Sequence, residues 1–227
     1  CFWAKASEGL YKIGEIFLEK GDNDKARGAF SNATIHDEKL GVAWYNYGRI
    51  LYCNGSYNKA NESFTRAANL SYSPAWNYIG LIAYINSNYS KAIRAYDYYL
   101  IKSPGNDIDD AIAWFNKGKA CYNWNDSMTK MAIESFNQAI ERFNKTICTD
   151  KDCMKINLNG WNDRAVPAIN CFKIDILNIW ANAWRYKGMA YYRLGEINQS
   201  IQANNTAIEL ENRIKVHSDG YDCLRRI

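Results

Sequence analysis

Nine asparagines stand in the spacing that accepts an N-linked glycan. Asn-x-Ser/Thr occurs at Asn32, Asn54, Asn61, Asn69, Asn88, Asn125, Asn144, Asn198 and Asn204. The reaction needs an accessible amide nitrogen with a hydroxyl two residues on, so sequons in use lie on the water-facing surface of exported chains. With 26 Asn and 19 Ser plus Thr in 227 residues, chance would supply about two. The excess predicts an extracellular or cell-surface glycoprotein. The seven cysteines show no CxxC spacing, which removes zinc-ribbon, dithiol-redox and haem-attachment chemistry. Cys53, Cys121, Cys148, Cys153, Cys171 and Cys223 are disulfide candidates with the pairing open, and Cys148, Cys153 and Cys171 crowd one irregular segment.

Other chemistry has little to stand on. The two histidines, His36 and His217, are far apart and lack metal-type companions, and no HExxH, phosphate-loop, GxSxG or EF-hand spacing occurs. Asp107, Asp109 and Asp110 read as a solvated connection between repeats. The expectation is a protein without catalytic residues, metal or cofactor, and not an enzyme. A net charge of +4, with basic residues scattered among acids, gives no phosphate-tracking stripe and excludes nucleic acid as an expected partner.

These residues must be positioned by helices. Hydrophobic residues are 48% and charged residues 23%, enough for a packed core, and three prolines in the whole chain leave long helices uninterrupted. The longest apolar run, near residues 78–85, falls far short of the ~20 residues a spanning helix requires. Ala-Trp recurs at Ala43-Trp44, Ala75-Trp76, Ala113-Trp114 and Ala183-Trp184, each Trp followed four residues later by Gly48, Gly80, Gly118 or Gly188. A further copy without Trp reads Leu10-Tyr11-Lys12-Ile13-Gly14. After each comes a turn and a small–aromatic–small run: Ala26, Phe30, Ala33; Ala60, Phe64, Ala67; Ala92 and Tyr96; Ala132, Phe136, Ala139. A glycine inside a helix costs about 1 kcal/mol against alanine. Its recurrence marks places where two helices approach so closely that a side chain would part them.

This pattern resembles the tetratricopeptide repeat, a helix–turn–helix unit of about 34 residues. Its best single match is Ala75-Trp76-Asn77-Tyr78-Ile79-Gly80, followed by Tyr89-Ser90-Lys91-Ala92, Tyr96 and Pro104. The fourth copy has a longer turn through Asn125-Asp126-Ser127, and the fifth has Ser200 and Asn204 where a small residue and an aromatic are expected. The resemblance implies an all-α, right-handed α-solenoid of about five helix hairpins with one cysteine-containing insertion. The expected divisions are an N-terminal segment 1–6, four repeats over 7–140, the insertion over 141–180, a fifth repeat over 181–214 and a cap or tail over 215–227.

In that family the first helix of each pair lines a concave groove. Projected onto this chain, the groove carries Tyr11, Tyr45, Arg49, Tyr52, Tyr84, Phe115, Lys119, Tyr122, Arg185 and Tyr192, an aromatic surface dotted with cations. The family's carboxylate clamp is unmatched, since Tyr11 and Glu15 stand where it has Lys and Asn. None of the nine sequons falls on a groove-lining helix. Cys1, at the start of the given sequence, looks like the acylated first residue of a mature archaeal- or bacterial-type lipoprotein and is the lipidation candidate. The expected function is an exported, N-glycosylated interaction protein that assembles with itself head to tail. The alternative is a lipid-anchored receptor or assembly factor that holds an extended peptide in the aromatic groove, membrane contact then coming only through a lipid on Cys1.

Overall fold

The computed structural model describes residues 2–102, 105, 107–148, 155–156 and 176–224. Among the described residues the fold is all-α: ten α-helices, with one antiparallel pair of two-residue strands, β1 (Ile147–Cys148) and β2 (Lys155–Ile156). Consecutive helices pair as hairpins: α1 (Phe2–Glu19) with α2 (Asn23–His36), α3 (Gly41–Cys53) with α4 (Tyr57–Asn69), α5 (Ala75–Ile85) with α6 (Tyr89–Lys102), α7 (Asp107–Trp124) with α8 (Thr129–Thr146), and α9 (Ile176–Arg193) with α10 (Ile197–Leu224). They fall into two compact units: the first three hairpins form one, and the last two with the strand pair form the other. The cysteine-containing insertion lies largely outside the described residues.

Each hairpin closes on its predicted glycine. A Cβ built on Gly14 would stand 2.6 Å from the Phe30 ring, and the same construction gives 2.9 Å for Gly48 and Phe64, 2.6 Å for Gly80 and Tyr96, and 2.5 Å for Gly118 and Phe136. Phe30, Phe64, Tyr96 and Phe136 are completely buried, flanked by equally buried Ala26 and Ala33, Ala60 and Ala67, Ala92, and Ala132 and Ala139. A ring on the second helix fills the notch left by glycine on the first, which sets the helices close and packs the seam without voids. The alanines of the four Ala-Trp pairs are also fully buried. Their tryptophans are half-buried and covered from one side: Arg66 lies 4.5 Å over Trp44, Tyr98 stacks on Trp76 at 4.9 Å, Lys117 lies 4.6 Å over Trp114 and Lys187 4.6 Å over Trp184.

The turns share one construction. Gly21, Gly55 and Gly195 take positive φ after the first helix of their hairpins, and Ser87 (φ 56) does so after α5. At each, two successive amides bond back to the helix: Gly21 N to Leu18 O and Asp22 N to Phe17 O, with the same pair at Gly55–Ser56, Ser87–Asn88 and Gly195–Glu196. This is the left-handed C-terminal stop that glycine makes cheaply. The fourth hairpin departs as its longer turn predicts. A 3₁₀ turn, Asp126–Met128, replaces the stop, with the Asn125 side chain capping it by accepting from Met128 N.

Four sequence expectations change. Helix α1 already begins at Phe2 instead of after residue 6, and α8 runs on to Thr146. The last helix does not end with the fifth repeat at residue 214 but continues to Leu224, because no Pro or Gly interrupts it before Gly220. Cys121, offered as a disulfide candidate, is a fully buried thiol outside any disulfide, since it faces the core from the last turn of α7.

Candidate functional site

The first helices of the hairpins carry the expected groove residues, and in the first unit four of them converge. The Tyr11 hydroxyl donates to Glu15 Oε1 at 2.7 Å and receives Asn46 Nδ2 at 3.5 Å, while Arg49 Nη1 donates to Asn46 Oδ1 at 3.0 Å. A chain of hydrogen bonds thus joins Glu15 of α1 to Arg49 of α3. Arg49 is only 3% exposed and sits 5.7 Å over the Tyr45 ring. Tyr45 in turn meets Tyr72 at 4.9 Å and Tyr78 at 5.6 Å, and Tyr78 meets Tyr52 at 5.7 Å. Burial holds the Tyr11, Tyr52 and Tyr72 hydroxyls above the ordinary 10.0, and for Tyr11 the bond to Glu15 adds to the effect. Tyr84 stands apart from this cluster, edge-on to Tyr89 at 5.7 Å.

In the second unit the expected residues gather around Tyr186. Phe115 and Tyr122 approach that ring at 5.9 and 6.1 Å, and Lys119 lies 5.5 Å over Phe115 and 5.9 Å over Tyr186. Burial pushes the Lys119 ammonium below its ordinary value. Arg193 stacks 3.7 Å over Tyr122, donates to the Tyr122 carbonyl at 2.6 Å and reaches Asp126 at 3.4 Å. Arg185 pairs with Glu211 of α10, and Tyr192 is 69% exposed.

Two expected groove residues therefore belong to the packed interior. Phe115 is buried against Phe136, and Arg49 is enclosed by its polar and aromatic neighbours. Three residues before Gly14, Gly48 and Gly118, an aromatic leans on its own hairpin's ring: Tyr11 on Phe30 at 5.7 Å, Tyr45 on Phe64 at 5.9 Å, Phe115 on Phe136 at 6.1 Å. Tyr78 and Tyr186 were not singled out in the sequence. Each stands two residues before a repeat glycine and covers the ring of the preceding hairpin, Tyr78 stacking on Phe64 at 4.7 Å and Tyr186 meeting Phe136 at 5.8 Å. That offset is the signal that would have found them.

The sequons sort by element. None lies in α1, α3, α5, α7 or α9; Asn54, Asn88 and Asn125 sit at turns and the others in second helices. Seven are exposed. Asn88 and Asn125 use their Oδ1 atoms as caps, accepting from Lys91 N and Met128 N at 3.2 Å each, which leaves the glycan-accepting nitrogen out of those contacts. Asn61 is half-buried and, with Asn58, Asn86, Asn88 and Lys91, lines a cavity of about 100 Å³. Asn204 departs from the expected glycan set. Its amide occupies the fifth seam, Oδ1 2.5 Å and Nδ2 3.1 Å from a Cβ built on Gly188, the place a ring takes in the other hairpins.

Cys53, at the end of α3, is disulfide-bonded. Cys148 lies in β1 and Cys223 in α10; their side chains, and Cys1, Cys153 and Cys171 altogether, are outside the described residues. Asp109 and Asp110 fall in the first turn of α7, where Asp110 accepts from Gly105 N at 3.4 Å. Among the described residues no group of three or more His, Cys, Asp or Glu side chains could hold a metal, and no helix is long and apolar enough to cross a membrane.

Residues 11–74 and 54–107 match the model of the tetratricopeptide repeat family. No curated protein sequence matches the chain. Solved structures share the fold at low identity. A MamA structure is 19% identical over 91% of this chain and 92% of its own, with a TM-score of 0.63. MamA from Desulfovibrio magneticus RS-1, from residue 41 to its end, is 15% identical over 91% and 96%, with a TM-score of 0.66. YrrB, described as a TPR protein with an unusual peptide-binding site, is 14% identical over 96% and 97%, with a TM-score of 0.64.

Proposed function

We propose that this chain, whose residues 11–107 match the tetratricopeptide repeat model, acts as an exported, N-glycosylated interaction protein that assembles with copies of itself. The observation that carries this reading is the separation of surfaces. Every sequon lies at a turn or on a second helix, seven are exposed, and the first helices have none. Glycans on those positions would shield the outer helices and turns and leave the inner helices and the outward faces of the first and last hairpins to make contacts. Peptide mass spectrometry of the native protein, before and after enzymatic deglycosylation, tests the premise. The expected result is occupancy at Asn54, Asn88 and Asn125 and none at Asn204. A native chain without a single glycopeptide would overturn the exported reading.

A second reading, capture of an extended peptide on the inner helices, draws on Tyr192, Arg185 and the Arg193–Tyr122 pair, which leave aromatic and cationic surface in reach of a ligand. Lipid attachment at Cys1 would tether either form. Replacing Tyr192 and Arg193 with Ala removes peptide capture under the second reading and leaves self-assembly unchanged under the first.

A further inference from the structure

In the second unit the repeat register identifies two positions on the second helix α8 that lie under the following hairpin. They sit three residues before and four after the seam residue. In α8, around Phe136, these are Ile133 and Ile140, 8% and 5% exposed where α9 packs on α8. In α10, around Asn204, they are Ile201 and Ile208, 54% and 50% exposed. Seven residues apart, the two share one face of the helix. A helix end that meets only water normally carries polar residues here, as the capping units of repeat arrays do. This one carries the isoleucines of an internal seam.

The first hairpin shows the complementary pattern. One residue before and two after Gly48 and Gly80, the first helix meets the preceding hairpin. In α5, Ile79 and Ile82 are 4% and 2% exposed and form one apolar cluster with Ala68, the residue four after Phe64 on the hairpin before. Around Gly14 the same positions are Ile13 and Ile16, 45% and 48% exposed. The molecule thus presents both halves of its own internal seam, one on α1 and the other on α10, each without a partner in the chain described.

We infer that the exposed α10 face of one copy, centred on Ile201 and Ile208, docks on the α1 face of a second copy, centred on Ile13 and Ile16. The occupant is a second copy because the two faces match in the register that joins α4 to α5 within the chain. The contact is heterologous, so each copy keeps one face open and growth continues by addition of further copies. Internal seams set large residues against small, as Ile79 and Ile82 against Ala68, whereas the joint between copies sets isoleucine against isoleucine. That wider fit makes the joint looser than the seams, and assembly therefore depends on concentration. The inference rests on the self-assembly reading and assigns its surfaces.

The test uses the full chain and two double variants, Ile13→Asp with Ile16→Asp and Ile201→Asp with Ile208→Asp, followed by sedimentation velocity over a hundredfold range of concentration. The native chain should rise in mass beyond a dimer. Each variant alone should stay monomeric, and an equimolar mixture should form a dimer and stop, because only one competent joint remains. Circular dichroism checks that the variants fold, and the milder Ile16→Ser and Ile208→Ser replace any that do not, with assembly then shifted to at least tenfold higher concentration. Native assembly with both variants growing unchanged would overturn the assigned faces and leave self-assembly standing. A native chain monomeric throughout would overturn both.

Discussion

The two units build the same hairpin with different chemistry on its inner side. In the first, Tyr11, Tyr45, Tyr52, Tyr72 and Tyr78 pack ring against ring, and the buried Arg49 is held through Asn46 and Tyr11 to Glu15. In the second, Phe115 and Tyr122 meet Tyr186, and lysines lie on the rings: Lys119 over Phe115 and Tyr186, Lys187 over Trp184 and Tyr191, with Arg193 over Tyr122. The seams differ too. All three in the first unit are closed by a buried ring, whereas the second unit has one ring, Phe136, and one amide, Asn204. The glycine–partner geometry is thus what a hairpin requires, and the inner surface is free to vary around it.

The largest effects should come from breaking a ring seam. Phe64→Ala removes a fully buried ring and should cost about 4 kcal/mol, measured by chemical denaturation, with Phe136→Ala close behind. Asn204→Ala should cost under about 1 kcal/mol, because the half-buried amide fills its seam without a ring's apolar area. Equal losses at Phe64 and Asn204 would erase the distinction between the seams.

Gly80→Ala and Gly188→Ala sharpen the same point. The first drives a methyl to 2.6 Å from an enclosed tyrosine ring and should cost about 2 kcal/mol. The second meets an amide that can swing toward solvent, and the helical preference for alanine, about 1 kcal/mol, brings the net change near zero.

Alkaline stability should separate the units. Tyr11, Tyr52, Tyr72 and Tyr96 of the first unit are all held above the ordinary 10.0 by burial, as is Tyr191 of the second. The unfolded chain releases these protons near 10.0 while the folded chain retains them, so stability is whole below pH 10 and falls as pH rises above it. Tyrosinate absorbance and helicity followed together should show the first unit lost first.

The smallest effect is at a turn. Ser87→Gly relieves a left-handed residue and should stabilise the first unit by about 0.5–1 kcal/mol in thermal melts, whereas the equivalent turn of the second unit already has Gly195.

The hairpins were legible because their seams demand a rare pairing. Glycine four residues after Trp, followed by a small–aromatic–small run, has few other physical causes, and it marks the paired helices from α3 to α8. The inner surface was harder to read. A residue three before the glycine points both toward the groove and onto its own hairpin's ring, so Phe115 projects onto a surface yet lies in the core. Tyr78 and Tyr186 were missed because they cover the preceding hairpin, a contact no single repeat contains. Asn204 is a glycan acceptor by its triplet, yet it stands where the repeat has its aromatic, and its place opposite Gly188 sets its amide in the seam. The long α10 was cut short in the sequence because a charged, weakly patterned stretch reads as a tail, although nothing in it stops a helix.

The most direct test of self-assembly through unmet seams is sedimentation velocity of the native chain as its concentration is raised. The weight-average mass should climb past two copies without levelling. One sharp boundary of monomer mass at every concentration would contradict the account.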